Sequence, residues 1–330
     1  MPDVLWLLIF VIVLALIFDF TNGWHDTANA IATVVGTRTL SPGKAIIMAA
    51  LLNLAGAFFS TEVAKTIGSE IVDPSGVTLV VLVAALLSVI IWNIVTVLMG
   101  LPTSSSHALL GSLLGAAIAY KGIGVLQMKG IIMILVALIV SPLLGGVVSY
   151  CLMKFINQLF ANCTPSKVKK AFRPLQILSS AFMAFSHGTS DAQKAMGIIT
   201  MALVASGYQE GNHVQTWVML SAGLAMALGT AMGGRKVIHT IGSRLSRLET
   251  PQGFVAETSA ALLLATIAKI GIPVSTTHTI TGSIIGVGAA ERIRSVRWSI
   301  ANKIIYAWIF TLPGTVLMGS ILYLILHVFE

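Results

Sequence analysis

Leu101-Pro-Thr-Ser-Ser-Ser-His107-Ala-Leu-Leu-Gly-Ser112-Leu-Leu-Gly115 returns 171 residues later as Ile272-Pro-Val-Ser-Thr-Thr-His278-Thr-Ile-Thr-Gly-Ser283-Ile-Ile-Gly286. Each copy holds a proline that breaks a helix, a Ser/Thr run that can cap the next one, and an apolar stretch that continues it. Two more echoes keep the same order. Asn22-Gly-Trp-His-Asp26-Thr-Ala-Asn29-Ala answers to His187-Gly-Thr-Ser-Asp191-Ala-Gln-Lys194-Ala, and Lys65-Thr-Ile-Gly-Ser69 to His239-Thr-Ile-Gly-Ser243. Offsets this similar along one chain mark a duplicated half.

The setting of the duplication is apolar. Of 330 residues, 56% are hydrophobic and 10% charged, which excludes an ordinary soluble domain. Val77–Gly100, Gly130–Leu152 and Ile304–Val328 are each long enough to cross a bilayer as a helix. Val4–Phe18 follows Asp3 rather than a basic stretch, so it is expected to stay as the first membrane segment. Cys151 and Cys163 flank a basic loop without further zinc ligands, and neither a disulfide nor a zinc site is expected. The net charge of +8 sits at the ends of apolar segments, the pattern of membrane topology and not of nucleic-acid binding.

Charge also sets orientation. Fifteen of the twenty Lys and Arg residues fall in four stretches: Arg38/Lys44, Lys154–Arg173, Arg235–Arg247 and Arg292–Lys303. All four are placed in the cytoplasm, the acid-rich loop Glu62–Pro74 and the stretch Ser206–His213 outside; Lys121 and Lys129 then also fall outside. The two Thr-Ile-Gly-Ser copies lie on opposite sides, so the halves are inverted. The expected division is a first repeat at 1–153, a cytoplasmic basic linker at 154–173 and a second, inverted repeat at 174–330.

Within each half two devices are expected. Phe254–Ile270 and Thr277–Ala290 are short for full crossings and are separated by Gly271–Thr277, with Ser275 or Thr276 as N-cap of the second, which predicts a re-entrant helical hairpin; Gly100–Ser106 has the same grammar. Val4–Val35 and Leu175–Val204 exceed one bilayer thickness and carry polar interruptions at Asp19–Asn29 and Ser186–Lys194, which predict broken helices. The fold expected is an all-α polytopic membrane protein of two inverted-topology repeats.

A hairpin tip that opens a helix offers free backbone N–H groups and a positive dipole end, suited to an anion. Ser104, Ser105 and Ser106 with Ser275, Thr276 and Thr277 add hydroxyl donors there. Asp26 and Asp191, equivalent carboxylates inside the membrane, are candidates to bind Na⁺ or carry a proton. Asn22, Thr27, Asn29 and Ser190, with Gln193, supply further polar ligands. Lys194 is either a counter-charge for the anion or a partner of the aspartates. Glu257 either joins the cation site or sits near the cytoplasmic face. No pair among His25, His107, His187 and His278 has a helical ligand spacing with an added carboxylate, so no histidine metal site is expected; His107 and His278 are expected to be structural residues behind the tips. Asp19 receives no role.

These motifs, together with Glu62-Val-Ala-Lys-Thr-Ile-Gly68, resemble the inorganic phosphate transporter family, the Pit-type cation-coupled phosphate permeases, over nearly the whole chain. Where that family commonly has Gly-Ala-Asn-Asp, this chain has Gly-Trp-His25-Asp26 and Gly-Thr-Ser190-Asp191. The resemblance implies inorganic phosphate as substrate, Na⁺ or H⁺ as coupling ion, and a homodimer in the cell membrane. It also implies that some members carry a metal–phosphate complex and that some relatives prefer sulfate. On this reading the phosphate is held by the Ser/Thr tips with Lys194 and Gln193, and the cation by Asp26, Asp191 and their polar neighbours with Glu257. A serine hydrolase built on Ser104–Ser106 is disfavoured, because no carboxylate is placed to orient His107. A passive anion channel stays open.

Overall fold

The computed structural model describes residues 2–69, 71–73 and 76–328, and among them the protein is helical apart from two isolated bridges, Val72–Leu126 and Ser246–Val296. Glu70 and Pro74, counted above in the acid-rich loop, lie outside the described residues. The first half contains α1 (Pro2–Gly36), α2 (Pro42–Gly56), α3 (Glu62–Ser69), α4 (Leu79–Met99), α5 (Ser105–Lys121) and α6 (Met128–Leu159). The second contains α7 (Pro165–Ala205), α8 (Thr216–Met232), α9 (Arg235–His239, continued as a π-helical turn to Arg244), α10 (Thr250–Lys269), α11 (Thr276–Glu291) and α12 (Trp298–His327). Among the described residues five helices are long and apolar enough to cross a membrane, or six if α8 and the sharply bent segment after it count as one span.

The order of α7–α12 repeats that of α1–α6, and the packing repeats with it. α1 lies along α8 while its counterpart α7 lies along α2; α5 lies along α12 while α11 lies along α6. Each half therefore buries its faces against the other. Within 154–173 only Phe160–Thr164 lies between helices, because α6 runs on to Leu159 and α7 already begins at Pro165.

The expected breaks in the two long segments are not there. α1 is continuous helix through Asp19–Asn29, and α7 through Ser186–Lys194. No proline interrupts either stretch, and their polar side chains are satisfied mostly across helix interfaces, so the backbone has no reason to open. The glycines that looked like break points serve close approach instead. A Cβ on Gly23 would collide with the Met226 carbonyl oxygen of α8, and one on Gly188 with that of Asn53 of α2.

The two tips form as their sequences dictate. α4 ends at Gly100 and α10 just before Gly271, both left-handed (φ 71° and 80°), where glycine carries no Cβ penalty. Pro102 and Pro273 hold the chain extended, and Ser104 and Ser275 then cap α5 and α11 by accepting from the His107 and His278 amides at 3.2 Å each. Trp308 of α12 donates to the Pro102 carbonyl at 2.9 Å and stacks on His278, whose ring meets His107 edge-on with centroids 4.6 Å apart. The two histidines thus pack the tips together, the structural role expected of them.

Candidate functional site

α1 and α7 bring their polar stripes to the two tips. Asp26 is the centre of the first half. His25 Nδ1 donates to its Oδ1 at 2.8 Å, Ser105 donates to Oδ2 at 2.8 Å, and Thr277 donates to Oδ1 at 3.1 Å. One carboxylate is therefore bonded by both tips. Three residues on, Asn29 donates to Thr276 at 3.1 Å and to Thr277 at 2.9 Å.

The second half answers. Lys194, the positional counterpart of Asn29, donates to Ser105 and to Asp191 Oδ2, both at 2.8 Å. Thr276 and Asn22 approach the same Asp191 oxygen at 3.5 Å. Asp26, Asn29, Asp191 and Lys194 are each at most 1% exposed. A charge buried this deeply persists only when paired, and the lysine bridges the Asp191 carboxylate to a hydroxyl on the opposite tip. A void of about 20 Å³ lies beside Ser106, Lys194 and Pro273, and the tips touch directly through Ser106 on the Val274 carbonyl and His107 on His278. A larger cavity of about 590 Å³ lies behind the first tip, with Gly100–Pro102 on one wall and Arg235, Lys236, Arg244 and Lys303 on the others.

Other candidates stand apart from this centre. Ser104 and Ser275 spend their hydroxyls as caps, and Ser106 donates to the Val274 carbonyl at 3.0 Å, tying tip to tip. Thr27 folds back on the Gly23 carbonyl at 2.6 Å. Gln193 is buried but accepts from the Ala64 amide and donates to the Thr189 carbonyl, which pins α3 to α7. Ser190 is buried at 1% exposure next to Asp191. Glu257 is fully buried two turns of α1 beyond Asp26, where it accepts from Thr33 and Ser179.

Sequence reasoning missed His187. It precedes Asp191 by one helical turn, and its ring joins Asp26 and Asp191 with one ligand atom from each within 4.8 Å of the others. Asn53 of α2, also unremarked, fixes the ring. Its Nδ2 donates to Thr230 at 2.8 Å, which turns its Oδ1 to accept from His187 Nδ1 at 3.2 Å. His187 Nε2 then lies 3.5 Å from Asp191 Oδ2. Asp26, His187 and Asp191 could together hold a cation, with Asn53 supplying the outer-shell hydrogen bond that orients a ligating histidine.

Residues 22–319, from the first polar stripe to the last helix, match the sequence pattern of the Phosphate transporter family. The chain belongs to that family. A Bacillus subtilis (strain 168) protein called a "Probable low-affinity inorganic phosphate transporter" is 44% identical over 330 residues, covering 99% of both chains. A Rhizobium meliloti (strain 1021) protein of the same description is 46% identical over 319 residues, 96% of each. A solved structure entitled "The sodium-dependent phosphate transporter" superposes with a TM-score of 0.92 over 98% of this chain and 100% of the other, at 24% identity, and shares the fold. The protein is a multi-pass membrane transporter and not an enzyme.

Proposed function

We propose that this phosphate transporter family member imports inorganic phosphate across the cell membrane by symport with Na⁺ or H⁺, through alternating access between two inverted repeats. The observation that carries the reading is the convergence of both tips on Asp26. Ser105 and Thr277 come from opposite halves yet share one carboxylate, so the charge state of Asp26 is felt by both tips at once. A cation bound there offsets the carboxylates and frees the hydroxyls, with Lys194, to turn toward an anion.

The exchanged packing of the halves supports the inverted arrangement, because equivalent helices then move against equivalent partners. The basic cavity behind Gly100–Pro102 suits phosphate on its way to the cytoplasm. The solved structure of the same fold is named as sodium-dependent, which favours Na⁺ over H⁺. Assembly as a homodimer rests on the family resemblance.

Labelled phosphate uptake into proteoliposomes tests this, with Na⁺ and proton gradients imposed separately. Stimulation by one gradient names the coupling ion; uptake indifferent to both, or competed by sulfate, overturns the reading in favour of a channel or another anion.

His187 favours a second reading, in which phosphate travels as a divalent metal complex. Imidazole nitrogen is a poor Na⁺ ligand but suits Mn²⁺, Co²⁺ or Zn²⁺ beside two carboxylates. Uptake that requires a divalent ion and carries it at fixed ratio selects this reading.

A further inference from the structure

Asp19 is fully buried on α1, and neither of its carboxylate oxygens makes a hydrogen bond of good geometry, the Asn22 side chain being the polar group beside it. Its face of the helix continues through Asn22, Asp26 and Asn29 at three- and four-residue steps, so it stands about 10 Å along the axis from Asp26, on the side away from Arg38. Two more oxygens nearby are equally unpartnered: Asn22 Oδ1 and Asp191 Oδ1. Asn22 is one turn from Asp19 and reaches Asp191 Oδ2 with its amide nitrogen at 3.5 Å, so it stands between the two carboxylates.

Lys194 does not relieve Asp19. Its ammonium is within the field of Asp19 but is bonded to Asp191 Oδ2 and Ser105. One permanent cation thus serves three buried carboxylates, Asp19, Asp26 and Asp191. His25 and His187, the other titratable groups here, direct their Nδ1 groups to Asp26 and Asn53. A buried carboxylate is costly in an apolar interior unless it takes up a proton or a cation completes it, and the unpartnered oxygens of Asp19, Asn22 and Asp191 offer a cation more than one ligand.

We propose that Asp19, Asn22 and the Oδ1 edge of Asp191 form a second cation site, of all-oxygen character and suited to Na⁺, outward of the Asp26 centre. Oxygen ligands alone select a hard ion. The Asp26–His187–Asp191 group, with its nitrogen, has a different preference. Asp191 is shared: Oδ2 faces Lys194 and the tips, while Oδ1 faces the second site, so occupancy of one biases the other through a single side chain. The proposal rests on the symport reading above and assigns a second ion to it.

Equilibrium binding of ²²Na⁺ to the purified transporter with saturating phosphate, alongside uptake against Na⁺ concentration, is the test. Wild type is expected to hold two sodium ions and show a sigmoidal Na⁺ dependence. Asp19→Asn is expected to lose one ion and give a hyperbolic dependence, and Asp19→Glu to restore part of both, which a purely structural aspartate does not predict. Asn22→Ala keeps all three carboxylates and is expected to weaken one of the two sites about tenfold; it carries the test if Asp19→Asn fails to elute as a single folded species. Unchanged sodium stoichiometry in Asp19→Asn, or unchanged sodium affinity at both sites in Asn22→Ala where that variant stands in, overturns the site. A wild-type protein that is driven by protons and binds no ²²Na⁺ also overturns it, while leaving the symport reading intact. Uptake indifferent to both gradients removes that reading first.

Discussion

Lys194 Nζ lies 2.8 Å from Asp191 Oδ2, one helical turn back on α7, and both side chains are buried. The same ammonium reaches Ser105 on the first tip. This pair is the link between the broad polar stripe of α7 and the hairpin of the other half. Lys194→Gln leaves Asp191 buried without its counter-ion, a loss of about 3–5 kcal/mol. Thermal unfolding in detergent measures it. Combining the change with Asp191→Asn is expected to recover much of the stability and none of the transport, which separates the fold's use of the pair from the transport cycle's.

Neighbouring serines on the first tip have opposite fates. Ser105 donates to Asp26 and accepts from Lys194, whereas Ser104 only caps α5. Ser105→Ala is expected to lower phosphate uptake by at least tenfold. Ser104→Ala is expected to cost about 1 kcal/mol of stability and leave most uptake in place. Equal uptake in the two variants contradicts the assignment of Asp26 as the point where the tips meet.

Asn53 touches no candidate ligand except through His187. Asn53→Ala releases the ring and is expected to lower divalent-ion affinity between about 10- and 100-fold. Mn²⁺ binding followed by paramagnetic resonance reads this directly. Sodium binding at the all-oxygen site should be unaffected.

Gly188 sets the distance between α7 and α2. Gly188→Ala places a methyl against the Asn53 carbonyl and is expected to cost about 1–3 kcal/mol, read as a lowered Tm. Because the same contact positions Asn53, a matching fall in divalent binding is expected.

Much of the site was legible in the residue order. The repeated Pro-x-Ser/Thr run located both tips and narrowed the second cap to Ser275 or Thr276, of which the structure uses Ser275, and burial in an apolar chain marked Asp26 and Asp191. His187 was missed: its one-turn spacing from Asp191 was the signal, but its meaning depended on Asn53 of α2. The expected helix breaks failed for a physical reason. Polar residues in mid-helix look like interruptions in one dimension, yet Asp26, Asn29 and Lys194 bond to other elements and leave their own helices intact.

The sequence by itself determined the duplication, the membrane setting, the tips and the pair of carboxylates, because hydropathy, proline, glycine and capping act over a few neighbouring residues. Only the tertiary structure decided that the halves exchange helix partners, that Ser105 and Thr277 share Asp26, that Gln193 and Thr27 turn away, and that Asp19 stays without a donor. Those are long-range matters: hydrogen-bond partners of a buried side chain are fixed by which helix packs beside it, and no local pattern along the chain encodes that neighbour.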